Sequence, residues 1–153
     1  MSRTLAVAMT SVHPQAPRGF LDTNVLVYWL QDSERAKVVD GLLEQWCVVS
    51  VQVLNELTNA MLKKSPVNWA KLTLLSQSLV KICDVNELTF NMHLRAIALA
   101  ERYQFKIYDA NFMATAAQSR SEALYSEDIQ HALNRKIPAQ FGGRSLLIKN
   151  PFL

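Results

Sequence analysis

Apolar positions along the chain follow two rhythms. Short, nearly continuous runs at Phe20-Leu21, Cys47-Val48-Val49-Ser50, Glu122-Ala123-Leu124-Tyr125-Ser126 and Ser145-Leu146-Leu147-Ile148 have the length and composition of buried strands. Between them, apolar residues recur at steps of three and four, which marks helices with one buried face. Asp22, Thr23 and Asn24 are residues that cap helix N-termini, and Val25, Leu26, Tyr28 and Trp29 predict the helix they start. Asp32-Ser33 caps a second helix through Val38, Val39, Leu42, Leu43 and Trp46. Ser50 ends a strand and caps a helix over residues 51–64. There Val53, Leu54, Leu57, Ala60 and Met61 form an apolar stripe, and Gln52, Glu56, Asn59 and Lys63 a polar one.

The second half continues the alternation. Pro66 opens a helix with Trp69, Leu72, Leu75 and Leu79 on its inner face. Residues 80–85, Val80-Lys81-Ile82-Cys83-Asp84-Val85, alternate apolar and polar and predict a strand. Asn86 is expected to cap a longer helix through Leu88, Met92, Leu94, Ile97, Ala98 and Glu101. Lys106-Ile107-Tyr108 is expected as an extended run into Asp109, followed by a helix with Phe112, Met113, Ala116 and Ala117. Residues 129–133 suggest a single helical turn. Strands alternating with amphipathic helices predict an α/β chain with a parallel sheet covered on both faces. Residues 1–18, with Pro14, Pro17 and little periodicity, read as a mobile extension before one domain over residues 19–153.

Composition narrows the classes without choosing one. With 153 residues, half of them hydrophobic, the chain can bury a sizeable core. No apolar run approaches the roughly 20 residues of a membrane span, and the run after Arg3 is shorter than the roughly 7–15 residues of a signal peptide. The expectation is a soluble, cytoplasmic protein with no membrane partner. Cys47 and Cys83 lie inside strand-like runs without zinc-like spacing and read as buried reduced thiols. A net charge of +3 permits a nucleic-acid partner without requiring one. Gly142-Gly143 makes no phosphate loop, and His13, His93 and His131 are too scattered for a triad or a zinc site. Trp29, Trp46 and Trp69 fit inner helix faces. Lys63, Lys64, Lys106 and Arg120 either flank a cleft or are solvated helix ends.

Candidate chemistry rests on acids. Asp22, Asp109 and Asp128 each stand where a strand or extended run gives way to a helix or turn. In a parallel sheet such junctions share one edge. Glu56 reaches that edge if its polar stripe faces it. Taken singly, each acid reads equally as a cap or a solvated side chain. Gathered in one cleft they would repel, and a hard divalent cation with oxygen ligands is the natural remedy.

In order and spacing, Leu21-Asp22-Thr23-Asn24-Val25-Leu26, Ser50-Val51-Gln52-Val53-Leu54-Asn55-Glu56, Tyr108-Asp109-Ala110 and Leu124-Tyr125-Ser126-Glu127-Asp128 resemble the successive motifs of PIN domains. More narrowly, they resemble VapC-type toxins of bacterial type II toxin–antitoxin pairs, from about Gly19 to the C-terminus. The resemblance implies a three-layer α/β/α fold with a central parallel sheet and a metal-dependent endoribonuclease. Asp22, Glu56, Asp109 and Asp128 match the acidic quartet. Asp22, Asp109 and Asp128 are the implied ligands of Mg²⁺ or Mn²⁺, with Glu56 completing the site directly or through water. Thr23 and Asn24 match the supporting polar residues, and Glu127 is an extra acid beside them. Asn111 and Phe112 replace a more apolar pair expected after the third motif. The implied reaction is hydrolysis of an RNA phosphodiester by a metal-activated water, leaving a 5′-phosphate and a 3′-hydroxyl. The implied partners are the RNA, a cognate antitoxin protein and a second copy of the chain. Rival readings are a structure-specific DNA nuclease, a non-catalytic module that holds a cation or a basic segment on the same acidic edge, and a phospho-acceptor receiver. The receiver lacks the acidic pair it needs at the first strand, and Asp84 falls inside the third predicted strand rather than at its exit.

Overall fold

Every residue of the first strand, Gly19–Leu21 (β1), is buried, and the rest of the sheet is built outward from it. The structure is a computed structural model that describes residues 19–64, 66, 68–129, 136–137 and 145–153. The expected extension at residues 1–18, most of the helical turn at 129–133, Gly142-Gly143, His13 and His131 lie outside the described residues. After β1 come α1 (Thr23–Gln31), α2 (Ser33–Leu43), β2 (Cys47–Ser50), α3 (Val51–Lys64), α4 (Trp69–Ile82) and β3 (Cys83–Asn86). Then follow α5 (Phe90–Tyr103), α6 (Ile107–Gln118), β4 (Ala123–Tyr125), β5 (Lys136–Ile137) and β6 (Leu146–Lys149).

The strand order is β3-β2-β1-β4-β6-β5. The first five pair in parallel, with Phe20 opposite both Val48 and Leu124, and β5 alone runs antiparallel, against β6. Parallel crossovers are right-handed. The helices between β1, β2 and β3 therefore cover one face, and α5 and α6, which lead back across to β4, cover the other. Packing agrees: α1 lies against α2 and α3, and α5 runs along α6. This is the three-layer α/β/α architecture expected. Because both faces are covered, β1, β2 and β4 carry apolar residues on both sides, including Phe20, Leu21, Val48, Val49 and Leu124, all fully buried.

Four boundaries differ from the sequence-based expectation. Val80-Lys81-Ile82 is the last turn of α4, not the start of a strand, because Leu72, Leu75, Leu79 and Ile82 keep a helical period against the core while Val80 points outward. Helix α5 is capped by Thr89, whose hydroxyl accepts the Met92 N–H, and Asn86 instead pairs with Ser50 at the end of β3. Ile107 and Tyr108 open α6 behind Lys106. Asp109 therefore sits in a helical first turn rather than at a strand exit. Both residues have β propensity, but no strand among the described residues pairs with them, and packing overrides propensity. Helix α4 starts at Trp69 behind an Asn68 cap rather than at Pro66.

Of the three tryptophans, Trp29 alone is core. Trp69 is 68% exposed, and Trp46 stands half-buried after α2, where its indole N–H donates to Asp84. Cys47 and Cys83 are cross-strand partners, buried and unbridged, and burial pushes the Cys47 thiol up to about 12.

At Gly19, β1 and β4 come close together. The Tyr125 ring of β4 lies over its Cα, and a Cβ there would collide with that ring. Gly19→Ala is expected to lower unfolding free energy by about 1–3 kcal/mol, the usual cost of overpacking. Urea denaturation measures it, and an unchanged midpoint would contradict the packing.

Candidate active site

The chain moves from β1 to β2 to β3 on one side and then returns to place β4 on the other side of β1. Strand order thus reverses between β1 and β4, and crevices at such switch points are where open α/β sheets bind ligands. Asp22 follows β1 there and Ser126 follows β4. The Asp22 N–H donates to the Tyr125 carbonyl (3.0 Å), which carries the ladder one residue past the strands.

Asp22 is 5% exposed. It is the N-cap of α1, and its Oδ1 accepts the Thr23 N–H at 2.6 Å. Its Oδ2 accepts the Ser126 hydroxyl at 2.6 Å and the Asn24 side-chain amide at 3.3 Å. These bonds favour the ionised form, but burial opposes it more strongly. Glu56 and Asp128 add like charge, and the carboxyl is raised to about 6. A carboxylate offers about four acceptor directions. Three are taken, so one remains toward the cleft.

Asn24 joins the two ends of the site. Its amide N–H groups reach Asp22 and, at 3.0 Å, Asp128 Oδ2, while its Oδ1 accepts the Glu127 N–H at 3.3 Å. The Ser126 hydroxyl also accepts the Asp128 N–H at 3.2 Å, which sets the turn presenting Asp128. On α3, the Ser50 cap accepts the Val53 N–H, and Glu56, Asn59 and Lys63 of the polar stripe line the cleft. Glu56 is held at both oxygens, by the Thr23 hydroxyl at 3.0 Å and by Gln52 at 3.1 Å. Asp109 comes from α6 and makes no such bond. Partial burial pushes it up, nearby Lys106 pulls it down, and Asp128 and Glu56 push it up again. All four carboxylates line one cleft of about 650 Å³.

Glu127 faces elsewhere. Arg35 reaches it at 3.5 Å and lies 3.9 Å from the centre of the Tyr28 ring, whose own edge meets Phe152. The Glu127 carboxylate raises the pKa of the Tyr28 phenol beside it. Glu127 thus ties the β4 exit to α1, α2 and the C-terminus. Among the four basic residues considered, Lys63 and Lys64 line the cleft, Lys106 stands before Asp109, and exposed Arg120 does not line it. Sequence reasoning missed Ser126, fully buried at the centre of the network, and the positioning part of Gln52. A serine at a strand exit directly before two acids was the available signal for the first.

The donor set is all oxygen, which suits a hard cation. Among the described residues, no three His, Cys, Asp or Glu side chains close into a preformed cage.

A carboxyl raised from 3.8 to about 6 holds its proton more tightly folded than unfolded. Its contribution to stability is complete below its ordinary value and is lost as pH rises through about 6. Asp22→Asn is therefore expected to stabilise the metal-free protein at pH 7.5 by about 1–3 kcal/mol, with the gain vanishing near pH 4. Denaturation at the two pH values measures it, and a loss of stability at pH 7.5 would contradict the burial argument.

The PIN domain family model matches residues 19–136. Comparison with curated proteins yields no match. Solved structures with a similar fold include a toxin–antitoxin complex from Klebsiella pneumoniae, at 20% identity and a TM-score of 0.62, covering 87% of this chain and 97% of that one. A sarcin–ricin-loop-cleaving VapC toxin of Mycobacterium tuberculosis is similar at 17% identity and a TM-score of 0.61, covering 84% and 99%. A VapBC complex from Rickettsia felis, bound to a promoter DNA fragment, aligns at 18% identity and a TM-score of 0.56, covering 86% and 97%. The family model runs from β1 to the first residue of β5 and takes in the acidic crevice, and the chain belongs to the PIN domain family.

Proposed function

We propose that this PIN domain is a metal-dependent endoribonuclease acting as the toxin of a toxin–antitoxin pair. The observation that carries the reading is the convergence of Asp22, Glu56, Asp109 and Asp128, from four separate parts of the chain, on one cleft at the β1/β4 switch point. Asp22, Asp109 and Asp128 would hold Mg²⁺ or Mn²⁺, with Glu56 completing the site directly or through water. When bound, the ion supplies positive charge against the phosphate and acidifies water at neutral pH.

The chain's own residues prepare that site. Ser126, Thr23 and Asn24 fix both oxygens of Asp22, so the carboxylate does not have to reorganise when a ligand arrives. Asn24 sets the spacing of Asp22 and Asp128 by bonding both. Thr23 and Gln52 aim Glu56. Asp109, held by no hydrogen bond to a described residue, is the carboxylate left to adjust to the ligand. Overall, the oxygen of a water ends on phosphorus and its proton balances the released 3′-hydroxyl, leaving a 5′-phosphate.

Two of the similar structures contain a toxin with its antitoxin, which supports an antitoxin partner. A second copy of the chain is the other proposed partner. Among the described residues no helix is long and apolar enough to cross a membrane; a cytoplasmic site of action is part of the proposal.

RNA cleavage in Mg²⁺ or Mn²⁺, with 5′-phosphate ends mapped, tests the reading. Asp22→Asn and Asp109→Asn are each expected to reduce kcat/KM by about a thousandfold, on the scale of losing an electrostatic contact made in the transition state. Chelation by EDTA is expected to abolish cleavage. Equal activity in the wild type and both variants would rule out the assigned site.

A further inference from the structure

Beyond the acids, the cleft is lined by side chains that the hydrolysis does not use. Lys63 and Lys64 stand in the last turn of α3, both exposed, and neither forms an ion pair with a described residue. Tyr108 lines the same cleft from the first turn of α6, next to Asp109, and is 65% exposed. Nothing in the described fold covers its ring, so it contributes little to the core.

Glu56 and Lys63 lie on one face of α3 two helical turns apart, about 10 Å along the axis. Asn59, between them, lines the cleft as well. The cleft therefore changes sign along α3, from carboxylates near the β1/β4 edge to two ammonium groups at the helix end. An acidic cleft alone repels a polyanion, and the lysines supply the attraction that keeps a strand in register with the acids. An exposed aromatic ring beside such a path is a stacking platform for a base, and a base is available to it only where the nucleic acid is unpaired.

We infer that the cleft takes an unpaired strand in a defined register: the scissile phosphate at the acids, one flanking phosphate on each of Lys63 and Lys64, and a neighbouring base stacked on Tyr108. This rests on the ribonuclease reading above. Lys63, Lys64 and Tyr108 are binding and positioning residues, and none takes part in bond breaking.

The test uses the full chain in four forms: wild type, Lys63→Ala/Lys64→Ala, Tyr108→Ala and Tyr108→Phe. Cleavage of an RNA oligonucleotide gives kcat and KM. Fluorescence anisotropy with a labelled single-stranded RNA in EDTA gives Kd against salt. The double lysine variant is expected to raise KM about tenfold, leave kcat within about twofold and flatten the salt slope by about 1.4, as two lost single-strand phosphate contacts require. Tyr108→Ala is expected to weaken binding about tenfold, and Tyr108→Phe to bind like the wild type.

Unchanged KM and salt slope, with only a shift in melting temperature, would reduce the lysines to partners of the helix dipole and overturn their part. Equal losses in Tyr108→Ala and Tyr108→Phe, or duplex RNA bound as tightly as single strands, would overturn the stacking. If the wild type cuts no RNA, the ribonuclease reading falls on its own, while the anisotropy series still decides whether these residues grip a strand.

Discussion

A carboxylate held almost without solvent between two parallel strands is the constraint around which this structure is arranged. Asp22 emerges from β1 where β1 and β4 diverge, and a buried charge there is tolerated only if its oxygens are satisfied. The Thr23 amide, the Ser126 hydroxyl and the Asn24 side chain do this. Even so, burial outweighs them, and the carboxyl is raised to about 6. A group in that position destabilises its own fold once ionised, and an opposite charge in the cleft would relieve it. The same hydrogen bonds that hold Asp22 also position its neighbours, because Asn24 and Ser126 each reach Asp128 as well.

The supporting shell divides its acids by task. Glu56 is aimed into the cleft by Thr23 and Gln52, one from α1 and one from its own helix. Glu127, adjacent in sequence to Asp128, is drawn away by Arg35. The ion pair is partly exposed and contributes little on its own. Its use lies in combination with the edge-to-face Tyr28 and Phe152 rings beneath Arg35, which fasten the β4 exit to the C-terminal residues. Two acids side by side thus have different surroundings, and sequence adjacency says nothing about which faces the cleft.

Local pattern was a good guide wherever burial on both faces left one solution. Phe20-Leu21 and Cys47 to Ser50 could only be strands, since continuous apolar runs this short have no helical face to hide. It failed where a short segment satisfied two periods. Val80-Lys81-Ile82 alternates like a strand, yet Leu72, Leu75, Leu79 and Ile82 continue the helix, and a core contact outweighs local alternation. Ile107-Tyr108 has β propensity but opens α6, and Trp69, placed inside by spacing, is exposed.

By itself, the sequence determined the α/β class, the order of most elements and the identity of the acids, because these depend on period, capping chemistry and residue type within short windows. It also placed Glu56 on a polar helical face, since position on a helix follows from spacing alone. Only the tertiary structure decided that this face points at Asp22, that Ser126 is the buried donor to it, and that Asp109 arrives from a helical turn. Those facts depend on β4 lying beside β1, a pairing between residues about a hundred positions apart. Crossover handedness and the choice of neighbouring strand make that contact, and no local window contains either.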